Sequence, residues 1–153
     1  MYRIRPTGRR RGEKGATLIE VMVAAFITAL GVLGAASLQL NAVKFNHIAN
    51  TRSHATLLAY DGMDRMRANR TAALGGRYNI SLYDDPPTGS DFVAQDIRDW
   101  RDELATRLPS GRGSIEVDGD TATVIVQWDE SRLKETREAD SGDFARFQFE
   151  SRL

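Results

Sequence analysis

Seven consecutive residues near the N-terminus hold the chemistry that stands out. Lys14-Gly15-Ala16-Thr17-Leu18-Ile19-Glu20 sets a cation, a glycine, a hydroxyl and a carboxylate directly ahead of an uncharged run. A glycine lets an extended backbone enter a protease cleft without side-chain obstruction. Glu20 needs a reason of its own, because a carboxylate near the start of an apolar span costs at least ~2 kcal/mol unless it is paired, and such residues are usually functional. Two plain readings stand beside a functional one. Glu20 could lie shallow enough to reach lipid headgroups, or it could complement its own helix N-terminus through the dipole.

Other reactive types fall in patterns that carry less. His47 and His54 are seven residues apart, about 10 Å of helical rise, which is too far for one metal ion; they read as solvated surface residues. Asp84-Asp85 and Asp118-Gly119-Asp120 lack the ligand series of a calcium loop and read as turn residues. Met63 and Met66 read as helix packing. No spacing offers a nucleophile with a base and an orienting acid, so the expectation is a protein that is not an enzyme and uses no metal or cofactor. The absence of cysteine excludes lipoprotein attachment, disulfides and thiolate metal sites. Arg9-Arg10-Arg11 is the kind of run that can contact nucleic acid. Its place directly before a hydrophobic span argues against that, and no nucleic-acid partner is expected.

The elements that must position these residues follow from charge. The chain has 153 residues, enough for one small domain, and 27% of them are charged. From Val21 to Val43 there are 23 residues without a charge. As a helix they span ~35 Å, enough to cross a bilayer core. Residues 1–15 carry six basic side chains against Glu13, a net of +5, and the rest of the chain carries 15 basic and 20 acidic residues, a net of −5. This asymmetry predicts a cytoplasmic N-terminus with the remainder outside. Gly31, Gly34, Ala35 and Ser37 supply small side chains for close packing within the span. Beyond Val43, Ile48, Ala55, Leu58, Ala59, Gly62 and Met66 fall at helical spacing with charges between them. The helix is expected to run to Arg70–Leu74 and stop at Gly75-Gly76, roughly 55 residues and ~80 Å in all, longer than a bilayer core.

The remainder reads as a small α+β head. Residues 75–90 read as a loop with a short strand at Tyr78–Tyr83. Asp91 caps a second helix, Phe92 to Leu108, ended by Pro109. Val93, Ile97, Trp100, Leu104 and Leu108 share its apolar face, with Arg98, Arg101, Asp102 and Glu103 off it. Ser114–Val117 and Thr121–Trp128 flank Asp118-Gly119-Asp120 as a hairpin, with Asp-Gly the favoured turn pair. Ala122, Val124, Val126 and Trp128 alternate onto one face. Phe144–Glu150 completes three strands with Ala145, Phe147 and Phe149 inward. Such a sheet needs a covering surface, which the helices can supply, so Trp100 and Trp128 are expected in one core.

Lys14-Gly15-Ala16-Thr17-Leu18-Ile19-Glu20-Val21 resembles the type IV prepilin cleavage motif: a basic leader ending in glycine, then Thr-Leu-Ile-Glu, then an apolar helix. It departs at Ala16, where phenylalanine is usual. The resemblance implies cleavage between Gly15 and Ala16 by prepilin peptidase, N-methylation of Ala16, and pairing of Glu20 with the N-terminal ammonium of a neighbouring subunit. Three further pieces, Asp64-Arg65-Met66-Arg67-Ala68-Asn69-Arg70, Leu108-Pro109-Ser110-Gly111-Arg112-Gly113 and Val124-Ile125-Val126-Gln127-Trp128-Asp129-Glu130, with Trp100 in the second helix, look like the minor pilins of the type IV pilus modification protein PilV family. That family implies a low-abundance subunit that works with the major pilin, other minor pilins and a tip adhesin in pilus initiation, adhesion and twitching motility. The implied organisation is a leader over 1–15, a transmembrane assembly helix over 16–43, its amphipathic continuation over 44–74, and a periplasmic head over 75–153, first in the inner membrane and then in the pilus.

Other readings stay open on sequence. A minor pseudopilin of a type II secretion system shares leader, helix and Glu20. An exported protein with a conventional signal sequence would be cut after Gly34-Ala35-Ala36, before Ser37. A permanently anchored single-span protein would keep Met1.

Overall fold

The computed structural model describes residues 15–131 and 144–153. The element order is α1 (Leu18–Ala68), α2 (Arg70–Leu74), α3 (Phe92–Arg107), β1 (Arg112–Asp118), β2 (Thr121–Asp129) and β3 (Phe144–Arg152). This is the type IV pilin-like α+β architecture expected from the sequence: a long N-terminal helix, a short second helix and a small antiparallel sheet. Residues 1–14, all of the expected leader except Gly15, and residues 132–143 lie outside the described residues.

The chain divides into two compact units, Met1–Ala42 and Val43–Leu153. In the first, every described residue is exposed. Its helical hydrogen bonds are satisfied internally, and its apolar window is not buried within the chain. In the second, α1 buries Thr51, Ala55, Leu58, Ala59, Gly62, Met63 and Met66, the three- and four-residue spacing of a helix with one core face.

The long helix does not run unbroken to Leu74. Asn69 leaves helical geometry (φ −125°, ψ 54°), its N–H is shared between the carbonyls of Arg65 and Met66, and the N–H groups of Ala72 and Ala73 start a new turn on its own carbonyl. Gly75-Gly76 then ends α2 as the sequence indicates. Gly76 takes the left-handed conformation (φ 71°), its N–H donates to Ala73 O, and Arg77 N–H donates to Ala72 O, the paired bonds of a Schellman cap. The strand expected at Tyr78–Tyr83 is reduced to one bridge, Ile80 with Ile115. Beyond Ile80 the backbone turns instead, with Ser81 N–H on the Asp84 carboxylate at 2.9 Å. Asn79 and Ile80 cover the outer edge of β1, since the Asn79 side-chain oxygen also takes the Val117 N–H at 2.9 Å.

Asp91 caps α3 through its side chain on Ala94 N–H at 2.8 Å. Val93, Ile97, Trp100, Leu104 and Leu108 are all buried, as the apolar face requires. Arg101 lies off that face, as expected, yet is buried, with 9% of its surface exposed. Its guanidinium reaches across to the carbonyls of Ser81, Leu82 and Asp84 at 2.7, 3.2 and 3.3 Å. Burial lowers its pKa from the ordinary arginine value. Arg98 does the same for Pro87 and Gly89 at 2.7 and 2.6 Å. Two arginines of α3 therefore hold the loop whose carbonyls a strand would have used.

The sheet order is β1-β2-β3, both pairs antiparallel. Asp118 pairs with Thr121, so the two-residue turn is Gly119-Asp120, not Asp118-Gly119. Gly119 alone has positive φ (60°) there, which is the arrangement with glycine at the first central position. Ala122, Val124, Val126 and Trp128 are buried against the helices, and Ala145, Phe147 and Phe149 pack on the same core from β3.

Trp100 sits at the centre, fully buried, with its indole N–H on Leu58 O at 2.8 Å. Glycines make room for it. A Cβ at Gly62 would lie 3.1 Å from the indole, and one at Gly113 would collide with Trp100 and Leu104. Trp128 is also buried, and its indole N–H donates to Glu130 at 3.2 Å, where Arg52 also reaches the carboxylate at 3.4 Å. Arg65 meets Asp61 within α1 at 2.7 Å and, across to α3, Glu103 at 3.2 Å and Asp96 at 3.7 Å. Tyr78 donates to Asp96 at 2.6 Å. Burial, reinforced by that carboxylate, pushes the Tyr78 phenol up to about 12.

Candidate processing and assembly site

Gly15, Ala16 and Thr17 are non-helical and exposed, and α1 begins at Leu18. A Cβ built on Gly15 would meet nothing within 4 Å. The absent side chain is therefore not required by packing in this chain, and the bond between Gly15 and Ala16 lies in open, extended-capable backbone.

Thr17 ends that segment. Its carbonyl accepts the Val21 N–H at 3.2 Å, the first helical bond, and its hydroxyl accepts the Glu20 N–H at 3.3 Å. The hydroxyl thus satisfies one of the donors that a helix start leaves over. Thr-x-x-Glu is the capping-box pattern, and that spacing was enough to find the cap from sequence, where Thr17 figured only as part of a cleavage motif. The reciprocal half of the box is open: among the described residues the Glu20 carboxylate has no hydrogen-bond or ion-pair partner. Glu20 stands in the first turn, where a negative charge complements the helix dipole, so that plain reading of the residue is met by the geometry. Leu18 and Ile19 are 82% and 66% exposed, and the apolar window that follows buries none of its surface within the chain, although it is long and apolar enough to cross a membrane.

The structure therefore brings Gly15, Ala16, Thr17, Leu18, Ile19 and Glu20 together on one short stretch of backbone. Lys14 lies outside the described residues. The family model described as the prokaryotic N-terminal methylation motif matches residues 10–36. The methylation motif takes in Lys14 through Glu20 and most of the uncharged run that follows. It supports a prepilin-type protein of the pilin and pseudopilin kind, with processing by prepilin peptidase, assembly with other pilins, and an N-terminal apolar helix consistent with inner-membrane anchoring. No curated protein and no solved structure matches the chain.

The remaining sequence candidates are dispersed. His47 is exposed and His54 half-buried on α1. Asp84 serves the turn at Ser81, and Asp120 lies in the hairpin turn, 3.7 Å from Arg152. Met63 and Met66 are fully buried in the core. Among the described residues no group of three or more His, Cys, Asp or Glu side chains is placed to hold a metal ion.

Proposed function

We propose that this chain is a minor pilin of a type IV pilus, of the PilV kind: a structural subunit cut between Gly15 and Ala16, N-methylated at Ala16, and joined to its neighbours through Glu20. The observation that carries the reading is the exposed, non-helical Gly15–Thr17 segment. It leads into a capped apolar helix whose first-turn carboxylate has no partner among the described residues, all within the methylation motif. Removal of the basic leader, residues 1–15, creates an ammonium four residues before Glu20. In a low-dielectric setting that ammonium on one subunit and Glu20 on the next form a pair that sets register among otherwise apolar contacts. Residues 16–43 serve as the transmembrane and assembly segment, 44–74 as its amphipathic continuation, and 75–153 as the periplasmic head.

The PilV assignment rests on the resembling pieces themselves. Residues 64–70 span the end of α1, the break at Asn69 and the start of α2, residues 108–113 form the corner packed on Trp100 and Leu104, and residues 124–130 lie in the central strand and its exit. Pilus initiation at the tip, adhesion and twitching are the roles this reading assigns. The type II secretion pseudopilin shares the motif, and a deletion strain separates the two: loss of surface pili and twitching with normal protein secretion is expected. The deciding measurement for processing is the intact mass of the membrane-extracted protein. A methylated chain beginning at Ala16 is expected, whereas a start near Ser37 or a retained Met1 in cells with active prepilin peptidase overturns the proposal.

A further inference from the structure

We infer that Thr17 is a positioning residue for leader cleavage: its hydroxyl fixes the start of α1 at Leu18 and so holds the Gly15–Ala16 bond outside the helix. The inference rests on the processing reading above.

A peptide bond inside a helix has its backbone coiled and its polar groups committed, and it cannot lie extended in a protease cleft. Among the described residues little else keeps the helix from growing upstream. Ala16 has the highest intrinsic helix propensity of any residue, and only the poor propensity of Gly15 opposes a further turn. The hydroxyl of Thr17, on Glu20 N–H at 3.3 Å, is the specific stop. The direction of the effect follows from the membrane. If the cap is lost, retreat of the helix into the apolar run would strand N–H groups in hydrocarbon, which is unfavourable. Growth toward Gly15 carries the unpaired N–H groups outward toward water. Loss of the hydroxyl therefore moves the boundary over the scissile bond.

The test uses the full-length precursor in lipid vesicles with prepilin peptidase, comparing Thr17→Val, Thr17→Ser and Thr17→Asn. Valine keeps the shape and removes the acceptor, serine keeps the hydroxyl, and asparagine caps with a different shape. Cleavage rate is read by intact mass, and the local backbone by the carbon chemical shift of the Ala16 Cα. Thr17→Val should be cut about fivefold more slowly, with the Ala16 shift moved toward helical values, while the serine and asparagine variants stay within about twofold of wild type. Three results overturn the inference: a valine variant cut at the wild-type rate, a valine variant with an unchanged Ala16 shift, or an asparagine variant whose Ala16 stays non-helical yet is cut as slowly as valine. The last would mean that the peptidase reads the threonine itself. If the wild-type precursor is not cut between Gly15 and Ala16, the processing reading fails first and this inference with it.

Discussion

Up to Ala42, α1 has no buried residue; between Thr51 and Met66 the same helix buries seven. Continuous backbone hydrogen bonding thus conceals two sources of order. The first stretch has its polar groups satisfied internally and its apolar side chains turned outward, so its stability is decided by whatever apolar medium or subunit surrounds it. The second is held by the head, through Trp100, the sheet and the Arg65 ion pairs. The difference teaches that a lesion in one should leave the other intact, and several substitutions can break or sharpen that separation.

The largest effect on the head is expected from Trp100→Ala, which removes a fully buried side chain and should cost roughly 3–5 kcal/mol. Unfolding of the detergent-solubilised full chain, followed by the Trp128 signal, gives the number. Leader cleavage should not change, and a parallel loss of cleavage would mean that the two stretches are not independent. Glu20→Ala is the reverse case under the proposed assembly role. It should be processed normally and keep the head's melting temperature, yet appear in sheared pili at least about tenfold less, because removing one member of a buried pair leaves the other charge uncompensated. Wild-type abundance in pili would reduce Glu20 to the helix-dipole role its position already supports. Arg101→Met is smaller, about 1–3 kcal/mol, since three carbonyls lose their donor. Faster amide exchange should be confined to residues 81–84, and a global loss of protection would assign Arg101 to the core instead.

The smallest effect is a pH dependence. The Tyr78 phenol is raised from 10 to about 12 in the folded state, so the unfolded chain loses that proton first as pH rises. The stabilisation is fully present below about pH 10 and is lost as pH climbs through about 12. Melting temperature should fall across that window, and Tyr78→Phe should flatten the part of the slope that belongs to this residue. An identical slope in both proteins would show that Tyr78 titrates like an exposed tyrosine.

The span, the motif, the α3 face and the three strands were legible in the sequence because each rests on a repeated signal: absence of charge, helical spacing, or alternation. What escaped has physical causes specific to single residues. Arg101 falls on the polar side of any helical pattern, and nothing local shows that a loop 17 to 20 residues upstream in sequence will offer it three carbonyls. Those same bonds explain why Tyr78–Tyr83 pairs only at Ile80. The hairpin was found but its turn was placed one residue early, since Asp-Gly and Gly-Asp both suit tight turns and only the pairing of Asp118 with Thr121 chooses between them. Asn69 sits within a run of good helix formers, and its break depends on a shared N–H that spacing does not reveal. At the processing site, residue types could be read directly, whereas the role of the Thr17 hydroxyl needed the helix boundary.

The packing of Gly62 and Gly113 around Trp100 also constrains how this head can drift over generations. The indole occupies the volume a side chain at 113 would claim and lies 3.1 Å from where a Cβ at 62 would sit, so Gly113 is not free to vary while the tryptophan stays, and Gly62 varies only where the indole gives way. A lineage that shrinks residue 100 first opens a void that a larger residue at 62 or 113 can then fill; one that enlarges Gly113 first meets a clash. The three positions therefore form a lock with a preferred order of opening, and among descendants of this chain they are expected to change as a set.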